Sequence, residues 1–450
     1  MSSPTTAAHP ADPRTLRRVV GAGFLGTTIE YYDFFIYGTA AALVFPKVFF
    51  PELGAAAATT ASFATFAVAF VARPFGGVVF GHLGDRAGRK ATLVATLTIM
   101  GLSTVLIGAL PSGHVIGAAA PVVLIALRFL QGLAVGGEWS TAALFVGEYA
   151  PDRKRGLYAL APTLGTSAGL LLSTVTFLIT GVAMSTETFL SWGWRIPFLL
   201  SIVLVAVGLW VRLGVADTPV FLAAQAKAEA AAKAKLPLAE LLRHQWKQML
   251  LAAGAILMWQ PFFTIGGVFL INYGTTEIGL SHTTMLTVNI VAIGFNIAGS
   301  VTGGKLADRI GRRRSMMTAN GFGIVWAFAL FPLADTGNPV LLGLGISATL
   351  FFVGTASSTM TAYMPELFRT AYRSTGTGAA FNLGSALGGA VPSIIAAPLI
   401  AAFGGTGVAV MLAAFALVAT ASIFFLSETR GDSLDEAATA IPRAAARHSD

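Results

Sequence analysis

Runs of about 20 or more predominantly apolar residues recur along this chain, and no other property restricts its fold as severely. They fall roughly at 20–45, 57–83, 91–110, 119–148, 156–182, 194–213, 247–272, 284–306, 315–334, 338–364, 374–402 and 405–427. Each is long enough to cross a bilayer as a helix. Charge cannot cover a surface of this kind. Only 11% of the 450 residues are charged and 55% are apolar, whereas a soluble domain carries about 25% charged residues. Fifty glycines suit helices that pack closely inside a membrane. The expected class is an all-α polytopic membrane protein with twelve transmembrane helices.

Where the charges sit fixes the expected topology. The chain has a formal net charge of +8, and most of its Lys and Arg fall on alternate loops. One side holds Arg14, Arg17 and Arg18, then Arg86, Arg89 and Lys90, then Arg153, Lys154 and Arg155, then Lys305, Arg309 and Arg312 to Arg314. The other holds little beyond Lys47 and Arg195. The positive-inside rule places both termini in the cytoplasm of a cell or inner membrane, and the basic excess needs no nucleic acid to explain it. Cysteine is absent and the six histidines show no metal-ligand spacing, so neither a metal nor another cofactor is expected. The first apolar run is too long, and too acidic at Glu30 and Asp33, to read as a signal peptide.

The chain also repeats itself. Gly81-His-Leu-Gly-Asp85-Arg86-Ala-Gly88-Arg89-Lys90 follows the second run, and Gly304-Lys-Leu-Ala-Asp308-Arg309-Ile-Gly311-Arg312-Arg313 follows the eighth. Glu148 with Arg155 recurs as Glu366 with Arg373, and Gly165-x-x-x-Gly169 as Gly384-x-x-x-Gly388, all at an offset of about 220 residues. Two six-helix halves are therefore expected, 20–213 and 247–427. A polar, Ala- and Lys-rich cytoplasmic linker at 214–246 joins them, with cytoplasmic tails at 1–19 and 428–450.

The paired G-x-x-x-D-R-x-G-R-[RK] loops resemble the signature of the major facilitator superfamily. Four further stretches resemble its metabolite:proton symporter branch, which includes carriers of shikimate, 2-oxoglutarate, citrate, proline and betaine. They are Glu30-Tyr31-Tyr32-Asp33-Phe34 through Gly38, Arg73-Pro74-Phe75-Gly76-Gly77, Arg128-Phe-Leu-Gln131-Gly132 through Glu138-Trp139, and Trp192-Gly-Trp194-Arg195-Ile-Pro197. The resemblance implies the major facilitator fold, two pseudo-symmetric halves that rock about a central cavity, and a monomer. It also implies that the first and fourth helices line that cavity. The tail after Leu426 lacks heptads and contains Pro442, unlike the coiled-coil tails of osmosensing members. The loop charges would form cytoplasmic and periplasmic latches. Asp85, Arg86, Arg89, Glu148, Arg155, Arg195, Asp308, Arg309, Arg312, Glu366 and Arg373 are assigned to such gating.

Five ionisable residues fall inside predicted spans: Glu30, Asp33, Arg73, Arg128 and Glu138. A lone charge at the bilayer centre costs about 2.5–3.5 kcal/mol even on lenient scales, so the five must pair, hydrate or titrate. At about 1.5 Å per residue, all but Arg128 lie near the midplane, where carrier sites occur. Glu30, Asp33 and Tyr37 share one helical stripe, as do Arg128, Gln131 and Glu138. A static buried network is the plainer reading of any one of them. As a set they argue for function, because buried ion pairs stabilise poorly compared with apolar packing.

The function expected is secondary active transport: proton-coupled uptake of a small organic acid by alternating access. Asp33, Glu138 and Glu30 are the proton-coupling candidates. Arg73, Tyr37, Arg128, Gln131, Trp139, Gln260, Asn296, Tyr363 and Asn382 are the substrate-binding candidates, Arg73 being suited to a carboxylate. A zwitterionic solute, a uniporter and an exporter are the alternatives. The chain has no G-x-x-x-x-G-K-[ST] loop for an ATP-driven pump and no nucleophile with a paired base, so an enzyme is not expected.

Overall fold

The computed structural model describes residues 13–87, 89–136, 155–158, 160–216, 237–369 and 373–431, with backbone alone at some helix ends. Among them there is no strand. In the first half the long helices are α1 (Pro13–Leu43), α2 (Ala55–Ala87), α3 (Arg89–Ala109), α4 (Ala119–Val135), α5 (Leu160–Ala183) and α6 (Ile196–Ala216). In the second they are α7 (Trp246–Thr276), α8 (His282–Ile310), α9 (Arg312–Ala334) and α10 (Pro339–Glu366), followed by α11 (373–403) and α12 (405–425). The last two form a continuous stretch that turns at Gly404, where φ is 61°. Eight of the described helical segments are by themselves long and apolar enough to span a bilayer. Phe75, Val78, Trp210, Val325 and Phe403 are among the large apolar side chains left exposed, as a lipid-facing surface requires.

Helices in lipid gain little from burying apolar surface against each other, so small residues that let backbones touch decide the packing. Between α2 and α4, a Cβ on Gly76 would strike the Leu133 carbonyl, and one on Gly136 the Arg73 carbonyl. Between α8 and α10 the same contacts recur, Gly299 against the Phe351 carbonyl and Gly354 against that of Asn296. The two halves thus share one internal packing scheme, and the twelve-helix, two-half fold expected from the repeats is the one observed.

Two helices on the interface between the halves are irregular. In α7 the helix loosens at 256–258 ahead of Pro261, which has no N–H to give to the ladder, and then widens into a π turn at Ile265–Phe269. A second π turn, Ala386–Ala390, lies in α11. Aromatic contacts cross the interface beside them: Phe35 meets Phe263 at 5.2 Å and Phe63 meets Phe269 at 5.4 Å between ring centroids. The polar segment expected as a linker ends in a short helix, Pro237–His244, with Leu241 buried.

Candidate functional site

The α2–α4 contact brings two arginines to one place. Arg73 and Arg128 are 3% and 1% exposed, too deep for water to hydrate them. Aromatic faces take that role. The Arg128 guanidinium lies 4.0 Å from the Tyr37 ring centroid, 5.0 Å from Phe34 and 5.1 Å from Phe66. Arg73 sits 5.1 Å from the same Phe34 and 5.0 Å from Phe70. Such contacts recover part of the lost hydration, about 2 kcal/mol each when desolvated. Several donors stay unused, since Nε of Arg73 and both Nε and Nη2 of Arg128 find no acceptor among the described residues.

Asp33, 1% exposed, faces α3. Its Oδ2 accepts from Thr104 Oγ1 at 3.2 Å. Thr104 in turn accepts from Gln131 Nε2 at 2.6 Å, and Gln131 Oε1 accepts from Arg128 Nη1 at 3.0 Å. The acid and the arginine are thus joined through two neutral side chains. Tyr37 donates to Thr65 at 2.7 Å. Glu30 is buried one turn below Asp33 and acts electrostatically on Arg73.

On the other side of α1 a narrow cavity separates the halves. Tyr31 of α1, Thr163 and Thr166 of α5, Trp259 and Phe263 of α7, Asn296 of α8, and Ser357 and Thr361 of α10 line it. Its described walls carry hydroxyls, amide and aromatic rings but no formal charge. Trp259 is 7% exposed, and its indole Nε1 has no acceptor. Tyr31 links the two regions, because it lines the cavity and lies within electrostatic reach of Arg73.

Sequence reasoning therefore named a set that the structure divides. Asp33, Tyr37, Arg73, Arg128 and Gln131 come together with Glu30 beside them, while Asn296 lines the cavity. Asn296 is largely engaged, accepting from Ser167 of the first half at 2.8 Å and donating to the Leu350 carbonyl at 2.8 Å. Asn382 donates across the interface to the Gly136 carbonyl at 2.8 Å. Gln260 is buried on α7 near Gly388. Tyr363, two residues beyond Thr361 on α10, donates to the Ser427 carbonyl beyond the end of α12. Glu138 and Trp139 lie outside the described residues. The sequence reading missed Thr104 and the cavity hydroxyls; their one signal is their presence in otherwise apolar helices.

Of the residues assigned to gating, Asp308, Arg312 and Glu366 of the second half are connected. Arg312 makes a bidentate pair with Glu366, Nε to Oε2 at 3.1 Å and Nη2 to Oε1 at 3.0 Å, and reaches Asp308 at 3.4 Å. The φ of 100° at Gly311 allows the sharp turn from α8 into α9, and the bare Cα leaves room for Glu428. That carboxylate accepts from the Arg312 and Arg313 amides at 2.8 and 3.1 Å, capping α9. Thr429 donates to Glu366. Among the described residues a bond here crosses between the halves: the Leu157 amide donates to Asp308 Oδ2 at 3.2 Å. Arg373 donates to the Phe368 carbonyl at 3.2 Å, and Arg309 is exposed. Arg195 instead braces the first half, donating to the carbonyls of Ser191 and Leu110 at 2.9 and 3.0 Å. Glu148 and the side chains of Asp85, Arg86, Arg89 and Arg155 lie outside the description.

Two helical bundles with buried charge and a cavity between them define a multi-pass membrane transporter. The chain belongs to the Major Facilitator Superfamily, which it matches over residues 23–393. It is 43% identical over 423 residues to the inner membrane metabolite transport protein YhjE of Escherichia coli strain K12, covering 93% of this chain and 95% of that one. Identity to the shikimate transporter of the same strain is 38% over 421 residues, covering 92% and 95%. Among solved structures, the proton:xylose symporter XylE bound to 6-bromo-6-deoxy-D-glucose aligns with a TM-score of 0.72 over 94% of this chain and 98% of that one. At 17% identity, that likeness concerns the fold alone.

Proposed function

We propose that this protein imports a small carboxylate metabolite together with a proton, by rocking its two halves about the midplane cavity, with both termini in the cytoplasm. The observation that carries the reading is the burial of Asp33, Arg73 and Arg128 next to an uncharged cavity. Static charges at this depth stabilise a fold poorly, whereas a carrier has a use for each. Arg73 neutralises the substrate carboxylate, approached from the cavity past Tyr31. Asp33 carries the proton, with Glu30 and Glu138 in the surrounding network. The five charges sum to minus one, so one proton leaves the set neutral before an anion binds. The body of the substrate rests against Trp259 and the hydroxyls of α5 and α10. The kinship with a shikimate transporter, whose named substrate is a hydroxylated carboxylate, supports this class. A second substrate class has support from Tyr31, Trp259 and Phe263, whose rings suit the ammonium group of a zwitterion.

Uptake into proteoliposomes with an acidic outside tests the reading, using labelled shikimate and glycine betaine as probes. Accumulation of either one that collapses on adding a protonophore is expected. Accumulation that survives the protonophore refutes proton coupling. Uptake of neither, when a neutral sugar is accumulated instead, refutes the carboxylate.

A further inference from the structure

The mechanism above assigns no role to α3, yet Thr104 on that helix is the sole hydrogen-bond partner that the described residues give Asp33. We infer that Thr104 is the positioning residue of the proton site: its hydroxyl rotates between two acceptors so that Asp33 is held in either protonation state without moving Gln131 or Arg128. The inference rests on the reading of Asp33 as proton carrier.

The geometry leaves few alternatives. A threonine hydroxyl has one proton to give and two lone pairs to offer. Two acceptors compete for that proton, Asp33 Oδ2 at 3.2 Å and the Met100 carbonyl, one turn back on α3, at 2.9 Å. One lone pair is taken by Gln131 Nε2 at 2.6 Å. The orientation of Gln131 is settled by its other neighbour. Arginine only donates, so the amide oxygen must face Arg128 Nη1 and the amide NH2 must face Thr104. The polarity of the chain therefore runs one way, from Arg128 through Gln131 to Thr104.

With Asp33 ionised, the Thr104 proton points at Oδ2 and the carboxylate keeps a charge-assisted bond. With Asp33 protonated, its O–H donates to the free lone pair of Thr104, and the Thr104 proton turns to the Met100 carbonyl. The Thr104 proton and the bond from Gln131 are kept in both states, the second lone pair is used only when Asp33 is protonated, and the change is a rotation about one C–O bond. Interposing two neutral side chains also keeps Arg128 from closing on Asp33 as a direct ion pair, which would hold the carboxylate charged. Of the charged and titratable groups, Arg128 from α4 and Tyr32 from its own helix act on Asp33 directly, Arg73 from α2 acts on Arg128, and Glu30, Tyr31 and Tyr37 stand on the same helix as Asp33. Helix α5 has no titratable residue, and α3 and α6 carry theirs only near their ends. A hydroxyl is thus what α3 brings to Asp33.

The test needs no substrate. Infrared difference spectra of the purified full chain in lipid, recorded across pH, follow the carboxylic acid C=O band directly. Asp33→Asn should remove one titrating band, which identifies it. Thr104→Val keeps the shape and removes the hydroxyl. Charge-assisted hydrogen bonds are the stronger kind, so its loss disfavours the ionised state and should move the midpoint of that band up by about one pH unit. Thr104→Ser should restore the wild-type midpoint. If Asp33→Asn removes the band but Thr104→Val titrates like wild type, the positioning role is wrong and the function stands. If Asp33→Asn removes no band, Asp33 does not titrate and both readings fall. Thermal melting of each variant in the same lipid separates these outcomes from misfolding.

Discussion

The two halves build the same helix contact and load it differently. On α2, three residues before the glycine that touches α4, stands Arg73; on α8, three residues before the glycine that touches α10, stands Asn296. In both places the residue's carbonyl presses on a glycine of the partner helix, Gly136 in one half and Gly354 in the other. The backbones are equivalent, but the side chains are not. Arg73 enters an aromatic box with unused donor capacity, while Asn296 has both ends of its amide engaged. A duplicated scaffold can thus hold a charged residue with spare donors in one copy and a neutral, hydrogen-bonded one in the other. Packing demands the glycine contacts in both copies, whereas the residue beside them differs.

Substitutions can break this contrast or sharpen it. The largest effect expected is from Arg73→Ala, which should lower uptake of a carboxylate probe at least ~100-fold, as loss of a buried charge-assisted contact implies. If Asn296→Ala is equally damaging, the asymmetry has no functional meaning. Next, Asp33→Asn should abolish accumulation driven by a proton gradient while leaving counterflow exchange measurable; normal accumulation would remove Asp33 from coupling. Glu366→Gln leaves Arg312 buried without a full counter-charge, so the melting free energy should fall by about 3–5 kcal/mol. Thermal unfolding in detergent reads that loss, and an unchanged melt would mean that the pair is hydrated. Smallest is the stability cost of Asn296→Ala, about 0.6–1.7 kcal/mol for an interhelical polar contact in a membrane, with uptake largely retained. A melt lowered by much more would show that Asn296 ties the halves more strongly than its two bonds suggest.

Much of this molecule was legible in its sequence, for identifiable reasons. Span length, loop charge and the duplicated Asp-Arg-x-Gly-Arg loops are local properties that the bilayer converts into a fold, and the fold followed. Charges inside apolar runs are conspicuous, so Asp33, Arg73 and Arg128 could be singled out, and the structure places them within one cluster. Hydroxyls are harder. Thr104, Thr163, Thr166, Ser357 and Thr361 look like any small polar residue in a helix, where a hydroxyl can satisfy itself on the carbonyl one turn back. Thr361 does that with Ser357, at 2.9 Å. Which of them turns toward an acid or a cavity depends on neighbouring helices, and spacing along one helix cannot report it. Tyr363 illustrates the same limit. Its sequence context suits a binding aromatic, but the return of the chain after α12 brings Ser427 to its hydroxyl.

That return has a mechanical consequence. Glu428 grips the start of α9 while Thr429 holds Glu366 at the end of α10, and Arg312 locks those two helix ends together. Three helix ends are thereby welded into one corner, which cannot shear without stripping the buried Arg312–Glu366 pair together with the Glu428 cap. Compliance then has to reside elsewhere in the second half. The π turns of α7 and α11, already wound too wide, are where a helix yields most readily. Spin labels reporting the α9–α10 corner should keep one distance through the transport cycle, and labels straddling 265–269 should show two. A corner that changes shape would mean that this half bends as a whole rather than at two built-in joints.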